Sequence, residues 1–213
     1  VKRAENALDN EKVYCLGEIV HNERVIHDLE ANGMITINKI EDAPNNSKVI
    51  IRAHGELKET YDKAKEKNIE ILDLTCGKIK AIRVKISKKL DDHYIIIIGK
   101  KNHPEVIGTN SWCNNEAIII ENSNDFNLLN KDDNYYIVCQ TTISYDLVSE
   151  LLNYLNINKF NFDYTNTICA HQKLIHSSSV SLAKEMDIMF VIGGKHSSNT
   201  VELFNECSKV CKS

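Results

Sequence analysis

Proline is nearly missing from this chain: 213 residues hold two, with eight glycines and a single tryptophan. Without these breakers there is no Pro/Gly-rich linker, and no low-complexity tract marks a flexible tether. Long hydrophobic runs are missing too. The longest, YIIII at 94–98, is far too short to span a bilayer, so no membrane partner is expected. Neither sign of charge dominates. A formal charge of −4 with no basic block gives no pull toward nucleic acid. The seven cysteines are odd in number and form no close-spaced framework, which argues against a secreted disulfide scaffold. Reduced thiols, some structural and some metal ligands, fit better. No charged-then-apolar leader opens the sequence, and a cytoplasmic location is expected.

Against that background, 42% apolar and 26% charged residues are ordinary for a globular chain long enough to bury a real core. Short apolar runs alternate with amphipathic helical patterns. Strands are predicted at 12–17, 35–40, 48–53, 69–74, 93–98, 117–121, 135–139, 160–164 and 188–193. Helices are predicted near 22–32, 58–68, 78–91, 105–112, 144–156, 173–185 and 200–210. Such alternation builds βαβ units and mainly parallel sheets. The fold class is therefore α/β, as small subdomains that change over near Cys76 and Cys169: residues 1–76, 77–166 and 167–213.

Reactive side chains gather where the predicted strands end, the edge at which open α/β sheets bind ligands. The first strand leads to EIVHN and His21, and 48–53 ends in AHG, with His54 beside a glycine. Strand 69–74 ends in TCG with Cys76, and 93–98 runs into KNHPEV, with His103 and Glu105 around Pro104. Proline keeps its predecessor extended and suits the first turn of a helix, which reads as strand, turn, helix start. Strand 135–139 gives QTT, with Thr141 and Thr142. NTIC delivers Cys169, and 188–193 runs into GGKHSSNT.

Not every such residue is functional. His27 and His93, in a helix and at a strand start, read as ordinary surface or core histidines. Cys15 and Cys139 lie inside strands and read as small buried hydrophobes. Cys113 carries no partner nearby, and Cys207 and Cys211 read as packing or exposed residues. Cys76 and Cys169 each precede a helix start, where free amides and the helix dipole favour the thiolate a metal needs. They are far apart in sequence, so any shared site is assembled from different subdomains. In GGKHSSNT, Ser197, Ser198 and Asn199 stand at a helix N-terminus, more polar side chains than one cap requires, and suit phosphate oxygens. His21 and His54 could add charge-assisted donors. Glu105 is the one carboxylate in the set. With Thr141 as partner it reads as a proton carrier, or else as a helix-start acid matching the dipole.

VKRA, GEIVHN, IRAHG, DLTC, HPEVIGT, QTT, NTIC and GGKHSSNT, in this order along essentially the whole chain, resemble the 4-hydroxy-3-methylbut-2-enyl diphosphate reductase (LytB) family. The resemblance implies three α/β subdomains around a central [4Fe–4S] cluster. Cys76 and Cys169 would ligate it, with a third cysteine expected upstream of Val1 and the third subdomain incomplete. It also implies diphosphate contacts from His21, His54, Ser197, Ser198 and Asn199, with His103 and Thr141 near the substrate hydroxyl and Glu105 as proton donor. The implied reaction is a reductive dehydroxylation to isopentenyl and dimethylallyl diphosphate, with ferredoxin or flavodoxin supplying electrons. The 213-residue chain by itself is expected to be inactive and poorly soluble. Two departures touch the cluster's surroundings. Gly77 replaces the usual proline after TC, and AHQKLIH places Gln172 and Ile175 where many members have Thr and Arg. The competing class is a non-catalytic α/β module that binds a phosphorylated metabolite or zinc.

Overall fold

A computed structural model describes residues 1–8, 12–20, 22–194 and 197–212. After a short helix α1 (Lys2–Glu5) come β1 (Val13–Leu16), α2 (Glu23–Ala31), β2 (Met34–Ile37), β3 (Lys48–Ile51), α3 (Lys58–Glu66) and β4 (Glu70–Asp73). The scheme then repeats: α4 (Gly77–Ser87), β5 (Tyr94–Ile98), α5 (Pro104–Ser111), β6 (Ile118–Ile120), β7 (Asn134–Cys139), α6 (Tyr145–Ile157) and β8 (Asn161–Tyr164). Helices α7 (Ala170–Ala183) and α8 (Ser198–Ser208) follow. Short 3-10 turns at Ile40–Asp42 and Ser123–Leu128 lead into β3 and β7.

The strands form two all-parallel sheets with the same order, β2-β1-β3-β4 and β6-β5-β7-β8. Their central strands, VYCL, KVII, YIIII and NYYIVC, are nearly continuous apolar runs because helices cover both faces. Alternate residues serve opposite layers. Ile96 and Ile98 pack with Tyr135, Leu151 and Leu155, whereas Ile95 and Ile97 pack with Ile82, Ile86 and Val106. The first sheet does the same, sending Ile50 to the layer of Ala4 and Leu29, and Val49 and Ile51 to that of Ala64.

This order positions the site. In each sheet the chain steps from the first strand to one side, then lands on the other, so a crevice opens where the order reverses. The crevices fall at the C-terminal ends of β1 and β3, paired through Leu16 and Ile51, and of β5 and β7, paired through Ile98 and Cys139. His54, His103, Glu105 and Thr141 lie just beyond these ends.

One predicted strand does not form. Among the described residues, the only pairing at 188–193 is an isolated parallel bridge between Ile188 and Lys212, with the Met189 N–H donating to the Lys212 carbonyl at 2.9 Å. The apolar pattern suits a buried strand, but a lone strand has no neighbour for its remaining amides. Phe190 and Ile192 are left 82% and 95% exposed.

Candidate active site

His54, His103, Glu105, Thr141, Cys169 and Cys76 are linked into a ring by contacts and short steps along the chain. The rings of His54 and His103 meet edge to face, with centroids 5.7 Å apart. His103 caps α5, its Nδ1 accepting the Glu105 N–H at 3.1 Å, which places the proton of the neutral ring on Nε2. Glu105 accepts the Thr141 N–H at 2.6 Å through one carboxylate oxygen and meets the Thr141 hydroxyl at 2.8 Å through the other. The Thr141 carbonyl accepts the Cys169 N–H at 2.9 Å. Beside Cys169, the Ile168 carbonyl accepts from Lys78 Nζ at 3.1 Å, two residues beyond Cys76. The Cys76 N–H donates to the Ala53 carbonyl at 2.9 Å, which returns the path to His54.

Glu105 is 3% exposed. Its burial holds the carboxyl above the usual carboxylate range, while the Thr141 N–H and hydroxyl, and then Arg83, pull the other way. The geometry also accommodates a neutral acid: one oxygen accepts the Thr141 amide, and the other can donate to the Thr141 hydroxyl. The Pro104 turn has a plain local logic, since proline opens α5 and its ring fixes φ where a helix begins.

Cys76 and Cys169 are the N-caps of α4 and α7, and neither thiol is spent on a capping bond. Cys76 is exposed and Cys169 half-buried. Elsewhere burial keeps thiols protonated. It pushes Cys15 and Cys139 up to about 11 and Cys113 up to about 12. Cys207 is also buried and its thiol raised, and Cys211 is half-buried. In donor type the two N-cap thiols fit an iron–sulfur cluster, which takes cysteine thiolates. Among the described residues, no three His, Cys, Asp or Glu side chains are grouped to hold a metal ion.

The anion segment is described in part. Ser197 caps α8, its hydroxyl accepting the Thr200 N–H at 3.4 Å, and Ser198 and Asn199 occupy the first turn. His21 lies outside the described residues, as do Lys195 and His196. The Asn199 amide oxygen sits 3.1 Å from His176 Nε2.

Several residues of this region carry contacts that the sequence did not announce. Lys78 ties the two cysteine-bearing turns together. Gln140, 2% exposed, accepts the Lys100 N–H at 3.0 Å and donates to the Thr142 hydroxyl at 2.8 Å, so it fixes the turn after β7. Gly99 makes room for it, since a Cβ there would lie 2.9 Å from Gln140 and 2.7 Å from Val106. Arg83 on α4 donates to the Glu56 carbonyl at 3.1 Å and lies 5.1 Å from the Trp112 ring centroid. It thereby seats the loop after β3 against α5.

A profile of the LytB protein family matches residues 1–213. The 4-hydroxy-3-methylbut-2-enyl diphosphate reductase of Clostridioides difficile (strain 630) is 40% identical over 198 residues, which is 92% of this chain and 71% of the relative. That of Alkaliphilus oremlandii (strain OhILAs) is 41% identical over 204 residues, 94% of this chain and 72% of the relative. A solved structure of the E-1-hydroxy-2-methyl-but-2-enyl-4-diphosphate reductase from Plasmodium falciparum has a TM-score of 0.89 at 28% identity, covering 100% of this chain and 71% of its own. A structure of (E)-4-hydroxy-3-methyl-but-2-enyl diphosphate reductase, the terminal enzyme of the non-mevalonate pathway, has a TM-score of 0.78 at 32% identity, covering 99% and 76%. With its motifs, its paired parallel sheets and these matches, the chain belongs to the LytB family of 4-hydroxy-3-methylbut-2-enyl diphosphate reductases.

Proposed function

We propose that this protein reduces (E)-4-hydroxy-3-methylbut-2-enyl diphosphate to isopentenyl and dimethylallyl diphosphate, the final step of the non-mevalonate isoprenoid route. Two electrons and two protons enter, the C–O bond to the hydroxyl breaks, and water leaves. The observation that carries the reading is the buried Glu105–Thr141 pair, linked through the Thr141 carbonyl to the Cys169 amide.

Glu105 holds the proton. Its burial keeps the acid form accessible, and Thr141 Oγ1, 2.8 Å away, can pass a proton outward as it receives one. His103 stands beside them as a donor to the substrate hydroxyl. Cys76 and Cys169 would hold a [4Fe–4S] cluster. When bound, the cluster supplies electrons and a Lewis-acidic iron. The diphosphate is assigned to His21, His54, Ser197, Ser198 and Asn199, with the free amides at the start of α8 adding donors. Ferredoxin or flavodoxin is the electron source, and the cytoplasm is the expected compartment. No helix among the described residues is long and apolar enough to cross a membrane.

The test is direct. The full-length protein, purified anaerobically, should be brown, contain iron and sulfide, and convert the substrate when reduced ferredoxin or flavodoxin is supplied. A colourless protein with stoichiometric zinc and no turnover would favour the binding module instead.

A further inference from the structure

His176 takes no part in the reaction as described, yet it is one of the few buried polar side chains, 7% exposed. It lies on α7 and reaches two residues of α8. Nδ1 is 2.7 Å from Glu206 Oε2, and Nε2 is 3.1 Å from Asn199 Oδ1. Asn199 and Glu206 stand seven apart on α8, two turns along one face, so the ring clamps both ends of that face. Both of its partners, as oriented, are acceptors.

We propose that His176 is a positioning residue that holds the Asn199 amide with its NH2 group turned toward the anion at the start of α8. The inference rests on the reading of Asn199 as a diphosphate contact. A carboxylate only accepts, so Glu206 takes the Nδ1 proton. Asn199 Oδ1 can face Nε2 only if that nitrogen also carries a proton, and the ring charge is then balanced by Glu206. Remove the proton and Nε2 becomes an acceptor. The amide then turns over, its NH2 faces the ring, and its oxygen is presented to the diphosphate. A donor to the anion is exchanged for a repelling oxygen. His176 and Glu206 line a cleft of about 530 Å³ whose other charged and titratable groups are Lys173 on α7, Lys184 just past its end, Glu202 on α8, Lys209 just past its end, and Tyr145 at the start of α6.

Inorganic diphosphate is titrated calorimetrically into the full chain and into His176→Gln, His176→Leu and Asn199→Ala, from about pH 5.5 to pH 8, where imidazoles change charge. A glutamine amide keeps a donor for Oδ1 that does not titrate. The wild-type-to-Gln affinity ratio also cancels the ligand's own protonation. That ratio should fall as pH rises. At the acid end His176→Leu should bind about tenfold more weakly than wild type, the worth of one hydrogen bond to a charged group. A ratio that stays flat with pH overturns the inference, and so does wild-type affinity in a His176→Leu protein of unchanged melting temperature. If His176→Leu does not fold, the wild-type-to-Gln ratio decides alone. Asn199→Ala separates the two ideas. Unchanged binding in that variant removes the diphosphate assignment and this inference with it, whereas weakened binding beside a flat ratio removes the inference only.

Discussion

A carboxyl group shut away from water resists ionising, and Glu105 pairs that burial with two bonds from Thr141. Its pKa is raised in the folded protein, chiefly by desolvation. The stability it contributes is therefore full below the unfolded value and is lost as pH climbs through the folded value. Glu105→Gln removes that titration and keeps both contacts, because its oxygen accepts the Thr141 amide and its NH2 donates to the hydroxyl. Urea unfolding at pH 4 and pH 8 should show the glutamine variant gaining on wild type at the higher pH; parallel profiles would contradict a raised pKa. Turnover should fall by roughly two orders of magnitude, the span for a positioned acid. The thiols make a second test. An alkylating reagent should modify Cys76 first and reach Cys15, Cys113 and Cys139 only on unfolding, since burial keeps those three protonated. In the full-length protein, Cys76→Ser or Cys169→Ser should abolish iron and sulfide content, while Cys139→Ser keeps it. Loss of the cluster in Cys139→Ser with retention in Cys169→Ser would reverse the ligand assignment.

At the scale of elements, the chain's periodicities carry far. Period-two and period-3.6 patterns place every strand of both sheets and helices α2 to α8 within a few residues, and chemistry collects at the strand ends because parallel sheets expose that edge. His103 and Glu105 were legible through Pro104, which marks the strand-to-helix turn. Lys78 and His176 were not, because a lysine or histidine inside a helix gives no local sign of a partner 90 or 23 residues away. Asn199 was read as facing the ligand alone, and its contact with His176 is tertiary. The apolar run IMFVIG promised a strand at 188–193, but local β-propensity cannot supply the neighbouring strand that a sheet needs. The loop after β3 offers a test of the same tertiary logic. Gly55 has φ +75°, and a Cβ there would collide with the Arg83 guanidinium. Gly55→Ala should cost about 1–3 kcal/mol from the left-handed backbone alone, with more from displacing Arg83 off Trp112. A urea midpoint equal to wild type would show that the loop and Arg83 yield freely.

Across the whole molecule, the site depends on contacts between parts that are distant in the chain. The ring contact of His54 and His103 joins the ends of the two sheets, and Lys78 and Thr141 reach the turn that starts α7. The weakest packing lies beyond that turn. Leu174, Phe190 and Ile192 are 63%, 82% and 95% exposed, and among the described residues the segment holding the last two has a single bridge, to Lys212. Large apolar side chains this exposed favour association, and a segment with so little strand pairing offers amides to a second chain. The 213-residue chain should therefore self-associate at high concentration and bind a hydrophobic dye while its two sheets remain folded. Phe190→Ser with Ile192→Ser should lower both dye binding and apparent mass and leave the urea midpoint of the sheets unchanged, because neither side chain reaches their cores. A wild-type chain that sediments as a dye-free monomer would show that this surface is covered in solution, and the search for what covers it would begin at Ile188 and Phe190.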